Sequence, residues 1–165
     1  MESTPGVRSA LLLLGGFEAM VGDVVEELAR RGHPGVTANL EFALLAIKEG
    51  ADSASALARA LGVSRQAAAK SVATLADLGY VDRVDDAADA RRKALRVTPR
   101  GDEMTAIGAA RFDELRARWA AALEPGAADA VDAALARLPE VVRPGAGGQP
   151  AVVERRRDEP ERGSR

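Results

Sequence analysis

Side chains able to do covalent or acid–base chemistry near neutral pH are scarce in this chain of 165 residues, which has one histidine and no cysteine. The histidine, His33, precedes Pro34 and Gly35 in a break between apolar segments. No carboxylates recur around it at helical spacing, so it reads as a solvated or loop-capping residue and not as a zinc ligand. Two stretches imitate catalytic motifs and fail. Ala69-Lys70-Ser71 has the lysine and hydroxyl of a phosphate-binding loop, but Ser64 and Ala69 stand where that loop requires glycine. Gly62-Val63-Ser64-Arg65-Gln66 opens like a nucleophile elbow but lacks the closing glycine, and no second histidine exists to act as base. No catalytic residue, cofactor or metal is expected, and without cysteine there are no disulfides and no thiol redox chemistry.

What remains is noncovalent recognition, and the charge pattern points to its partner. The formal net charge is −2, yet residues 64–101 carry eight basic against five acidic side chains, while residues 1–50 carry four against seven and residues 102–142 four against eight. A basic middle between acidic flanks is the electrostatic footprint of a local contact with nucleic acid. Within it, Ala68, Val72 and Leu75 share one helical face, which leaves Arg65, Gln66, Ala69 and Lys70 on the opposite side, behind Ser64 as helix cap. Small residues let a helix sit deep in a major groove, while Arg, Gln and Lys reach base edges or phosphates from it. Arg91, Arg92 and Lys93 follow in a polar turn, and an arginine on a thin projection can enter a narrow minor groove. Asp89 is placed to orient a guanidinium, that of Arg91 or a nearby arginine. Either feature alone is also what a solvated helix face or turn looks like; their order along the chain joins them.

The elements that must position these residues are mostly helical. A first helix, from about Val7 to Arg31, carries Val7, Leu14, Val21 and Leu28 every seven residues with Ala10, Phe17 and Val24 between, an apolar seam that wants a partner. After His33-Pro34-Gly35, Thr37 caps a second helix whose Leu40, Leu44, Leu45 and Ile47 face inward. Ser53 caps a short third helix with Leu57 and Leu61, and Gly62-Val63 turns the chain into the fourth, from Arg65 to Leu78. Tyr80 to Val84 and Ala94 to Val97 read as strands of a hairpin around a polar tip. Thr98 and Pro99 begin a long helix with Met104, Gly108, Phe112, Leu115 and Trp119 in one stripe, and a last helix carries Val131, Ala134, Leu135 and Leu138 and ends at Pro139. The expected fold is mainly α, an α+β winged helix of six helices and a two-stranded wing.

From Val36-Thr37 through SASALARALGVSRQAAAKSVATLADLGYVDR and DDAADARRKALRVTPRG, the chain resembles the MarR family of winged-helix regulators. The most specific part is Asp89-x-Arg91 followed by Val97-Thr98-x-x-Gly101, where the family usually has Leu-Thr-x-x-Gly, and the resemblance covers about residues 7–140. It implies a homodimer held by the first and last two helices, a recognition helix at Ser64–Leu78 and a wing arginine, Arg91, in the minor groove. Effector pockets in this family usually lie between the dimer helices and the DNA-binding lobe, which makes Phe17, Met20, Phe42 and Trp119 ligand candidates by position. The recognition helix is richer in alanine than the family's pattern, so base readout should be modest.

The expected organisation is a dimerisation helix in residues 1–35, a winged helix-turn-helix lobe in 36–98, dimerisation helices in 99–140 and a disordered tail in 141–165. The expected function is sequence-specific regulation of transcription in the cytoplasm, as a ligand-responsive repressor on a pseudopalindromic operator. Partners are double-stranded DNA, a second copy of the chain and a candidate small-molecule effector, with no membrane. Two other readings stay open: a winged helix that binds protein and not DNA, and a small-molecule enzyme on a helical scaffold.

Overall fold

Short hydroxyl residues open most helices in the structure, a computed structural model that describes residues 4–85 and 93–142. α1 (Pro5–Arg30) starts with the Thr4 hydroxyl accepting from the Val7 N–H and with Pro5 in its first turn. α2 (Ala38–Lys48) follows Thr37, which sits at the cap position with extended backbone but makes no capping bond with its side chain. α3 (Ala54–Leu61) is capped by Ser53 and α4 (Arg65–Asp77) by Ser64, each hydroxyl accepting from the N–H three residues on. Between them Gly62 adopts φ +65°, a left-handed conformation that glycine takes without a Cβ penalty, and so makes the tight turn.

β1 (Val81–Asp85) and β2 (Lys93–Val97) pair antiparallel, Val81 with Val97 and Asp85 with Lys93. The strands thus reach one residue further toward the tip than alternation alone suggested. The Leu95 N–H donates to the Asp52 carbonyl at 2.9 Å, which ties the hairpin to the start of the helix-turn-helix. α5 (Pro99–Ala121) and α6 (Ala127–Val142) complete six helices and one two-stranded sheet among the described residues. α6 does not end at Pro139 but runs through it to Val142. Proline there forgoes one bond, to the carbonyl four residues back, and an exposed helix can leave that carbonyl to water.

One core joins the C-terminal half of α1 to the winged lobe. Leu28, Leu44, Leu57, Leu75, Tyr80 and Met104 are its large, fully buried members, one from each of α1, α2, α3 and α4, the approach to β1, and α5. The apolar seam of α1 divides in two. Val21, Val24 and Leu28 are buried, whereas Val7, Leu14 and Phe17 are about half exposed, with Leu11 and Leu12 beside them more so. The stripe of α5 divides similarly: Met104 and Gly108 are buried, Phe112 and Leu115 partly so, and Trp119 is 42% exposed. Exposed apolar residues continue on α6 as Val131, Leu135 and Leu138. No helix is long and apolar enough to cross a membrane among the described residues.

Candidate nucleic-acid interface

α4 is held at both ends and along one side. Ser64 caps its N-terminus, Ala68, Val72 and Leu75 are buried against the core, and the Tyr80 N–H donates to the Leu75 carbonyl at 2.9 Å where the chain turns toward the wing. The opposite face carries Arg65, Gln66, Ala69, Lys70 and Ala73, all exposed. Among the described residues, neither Arg65 nor Lys70 is held in an ion pair. Their charge is therefore available to an external anion, close to the positive end of the helix dipole.

Lys93 is the first residue of β2, opposite Asp85. Asp89, Arg91 and Arg92 fall in the tip, outside the described residues. At the base of the wing two exposed cations escape a search for basic clusters, Arg83 on β1 and Arg96 on β2. The clue was the alternation Ala94-Leu95-Arg96-Val97, which turns Arg96 away from the buried face; Asp82 stands directly across from it and offsets part of its charge.

The wing is fixed to α5 by the residues of the Thr98-x-x-Gly101 element. Thr98 Oγ1 accepts from the Gly101 N–H at 3.1 Å and donates to the Gly79 carbonyl at 2.7 Å, while the Thr98 N–H donates to the Tyr80 carbonyl at 3.0 Å. Gly101 lies so close to that carbonyl that a Cβ would sit 2.4 Å from the Tyr80 oxygen and 2.8 Å from Val97 Cγ1. The motif is thus a backbone joint.

His33 belongs to the same joint and is not a solvated loop residue. It is 1% exposed, its Nδ1 is hydrogen-bonded to the Tyr80 hydroxyl at 3.2 Å, and its Nε2 lies 3.8 Å from a Glu103 oxygen. Arg100 donates to the Gly32 carbonyl at 2.9 Å and places its guanidinium 5.3 Å from the centre of the Tyr80 ring. Burial, aided by the charge of Arg100, lowers the His33 pKa against the opposing pull of Glu103, so the ring is neutral at neutral pH. The sequence could not show this, because the partners that bury His33 come from the wing and α5.

The residues named as ligand candidates divide. Phe17 and Phe42 stack with Phe112 in a ladder across α1, α2 and α5, with centroid separations of 6.2 and 6.4 Å. Met20 is partly buried, and Trp119 makes no ring contact with the ladder among the described residues. Nearby on α2, Glu41 is 1% exposed, and neither carboxyl oxygen has a hydrogen-bond partner. Burial pushes its pKa up to about 7. No group of three or more His, Cys, Asp or Glu side chains is arranged to hold a metal among the described residues.

Comparison with known proteins finds a family match over part of the chain and a shared fold over most of it. Residues 42–92 match the model of the MarR family. No curated protein matches the chain in sequence. Similar solved structures include CouR from Rhodococcus jostii RHA1 bound to p-coumaroyl-CoA, at 21% identity, covering 82% of this chain and 92% of that one with a TM-score of 0.63. A MarR-family transcriptional regulator from Rhodococcus sp. RHA1 is 19% identical, with 87% and 99% covered and a TM-score of 0.64. A mutant of MepR from S. aureus bound to an oligodeoxyribonucleotide is 19% identical, with 86% and 100% covered and a TM-score of 0.54.

Proposed function

We propose, from the premise that this chain has the winged-helix fold of the MarR family and matches that family's model over residues 42–92, that it regulates transcription by binding double-stranded DNA as a homodimer. The observation that carries the reading is the outer face of α4, which is small, cationic, unpaired and rigidly seated on the core. Alanines at 69 and 73 let the helix enter a major groove, from which Gln66 and Lys70 reach base edges and Arg65 a phosphate. Arg91 on the wing enters the adjacent minor groove, oriented by Asp89, with Arg92 and Lys93 on the backbone. MepR in complex with an oligodeoxyribonucleotide supports DNA as the partner.

The dimer follows from what one chain leaves uncovered. Val7, Leu11, Leu12, Leu14 and Phe17 on α1 and Leu135 and Leu138 on α6 are exposed, and extensive exposed apolar surface marks an interaction site. Covering it with a second copy places two α4 helices about one duplex turn apart, roughly 34 to 36 Å, on a pseudopalindromic operator. The protein acts as a repressor in the cytoplasm, and an organic effector binds beside Phe17, Met20, Phe42 and Trp119; the p-coumaroyl-CoA complex of CouR supports an organic ligand by analogy. The chain has no catalytic role.

The test is a titration of the full chain against labelled duplex from the DNA upstream of its own gene, at two salt concentrations. Binding should fall steeply with salt, and Arg91→Ala should weaken it and flatten the salt slope. Undiminished affinity in Arg91→Ala would remove the wing from the interface. A protein that ignores duplex at low ionic strength, yet captures a protein partner independently of salt, would instead be an interaction module.

A further inference from the structure

The carboxyl of Glu41 sits at the meeting point of α1, α2 and α5, where the winged lobe rests on the long helices, and its packing is complementary to one residue. A Cβ on Gly108 of α5 would lie 1.9 Å from Glu41 Oε1 and 3.0 Å from its Cδ, with Val24 Cγ1 of α1 at 3.7 Å. Glycine at 108 therefore leaves the flat seat that the carboxyl fills. An apolar side chain of the same size would pack there without leaving oxygens unpaired. A neutral carboxylic acid in such a seat costs little, whereas a carboxylate costs a great deal.

No neighbouring charge relieves that cost. On α1, Asp23 is held by Arg111, and Glu27 by Arg30 and Arg31. On α5, Asp102 pairs with Lys48, Glu103 faces His33, and Arg111 is shared between Asp23 and Glu114. Farther along α2 itself, Lys48 is taken by Asp102. On α3, α4 and β2, which pack on other sides of α2, Arg59, Arg65, Lys70, Asp77 and Arg96 are exposed. Burial is the sole cause of the Glu41 shift.

We propose that Glu41 makes this junction a proton-operated latch. The DNA-binding lobe seats on α1 and α5 while the carboxyl carries its proton; losing the proton draws water to the carboxylate, unseats α2 and weakens binding to duplex DNA. The DNA half of this inference rests on the function proposed above. The composition makes the latch legible in solution. With one histidine, whose pKa is lowered by burial, and no cysteine, Glu41 is a described side chain whose pKa burial places near neutrality. A displacement from 4.5 to about 7 allows the proton to bias the seating equilibrium by up to ~300-fold.

The experiment compares the full-length protein with Glu41→Gln between pH 6 and 8.5 by two readouts. One is amide hydrogen exchange of α2 and α5, corrected for its intrinsic pH dependence; the other is affinity for the upstream duplex. In the wild type, protection of α2 and α5 should fall with rising pH, and affinity should fall by up to about tenfold, most of it below pH 7. Glu41→Gln, which keeps the shape and cannot ionise, should be flat in both, as should Glu41→Leu if the glutamine variant folds poorly. Equal slopes in wild type and variant, or a flat wild type, overturn the latch. A protection slope that vanishes in Glu41→Gln while no form binds duplex at any pH upholds the proton-controlled seat and sinks the DNA-binding reading.

Discussion

Gly101→Ala is the sharpest test of how the wing is registered to the rest of the molecule. Placed in a helix, alanine normally gains up to about 1 kcal/mol over glycine. Here the new Cβ would lie 2.4 Å from the Tyr80 carbonyl oxygen and 2.8 Å from Val97 Cγ1. The first contact is with backbone, which cannot rotate aside, so the start of α5 has to move away from the approach to β1 by about 1 Å to restore ordinary packing. That motion strains the two bonds that Thr98 makes across the joint, to the Tyr80 carbonyl at 3.0 Å and the Gly79 carbonyl at 2.7 Å. Overpacking of roughly 1 to 3 kcal/mol and weakening of two hydrogen bonds of about 1 kcal/mol each outweigh the helix gain. The net loss should be about 2 to 4 kcal/mol.

The assay is urea denaturation of wild type and variant at equal protomer concentration, because association contributes to apparent stability. Gly15→Ala is the control for the helix gain: within one chain nothing lies within 4 Å of the position its Cβ would take. A Gly101→Ala protein within about 0.5 kcal/mol of wild type, or more stable, would show that the joint is compliant and the reasoning wrong.

Four further outcomes are expected. Lys70→Ala should lower operator affinity by roughly 1 to 3 kcal/mol if the amine reads a base edge; an anisotropy titration that leaves the wild-type constant unchanged places Lys70 outside the interface. Stability should fall as pH rises from about 4.5 to 7, because folded Glu41 keeps its proton to about 7 while the unfolded carboxyl loses it near 4.5. The penalty, about 3 kcal/mol and constant above that window, should disappear in Glu41→Gln, as read from denaturation at several pH values. Tyr80→Phe should cost about 1 to 3 kcal/mol in thermal unfolding by leaving the buried His33 Nδ1 without its partner, and an unchanged midpoint would deny that bond any weight. Leu14→Asp should shift the protein toward monomer in sedimentation equilibrium, and an unaltered mass would take the exposed half of α1 out of the proposed dimer interface.

The parts of the fold that could be read from the chain are those set by neighbours in sequence. Ser53, Gly62 and Ser64 determine the ends of α3 and α4 by bonds and backbone angles within a few residues, and Ala68, Val72 and Leu75 mark the buried face by their spacing alone. The residues misjudged are those whose surroundings arrive from afar. His33 is buried by Tyr80 and by α5, and Glu41 lies on a short helix, where a glutamate is normally solvated. Only Gly108, far along the chain, supplies the space that buries it. Pro139 misled in the other direction, since a local rule about proline gives way on an exposed helix. The Thr98-x-x-Gly101 element was visible as a motif, but its reason, a carbonyl belonging to Tyr80, was not.

Gly101 and Gly108 are two helical turns apart on α5, and therefore on the same stripe as Met104 and Phe112. At one the helix accepts the backbone of the wing joint, and at the other the carboxyl of α2. These are the closest approaches that α5 makes to the winged lobe at glycine, so the orientation of α4 is referred to the long helices through two points on one rod. A rod gripped at two points cannot tilt at one without loading the other. By the proposed latch, a proton at Glu41 should therefore be felt at the wing joint, where Thr98 and His33 hold Tyr80. It follows that Gly101→Ala, made far from Glu41, should also change the pH dependence of seating; equal proton linkage in wild type and Gly101→Ala, measured by exchange across the same pH range, would show the two contacts to be independent.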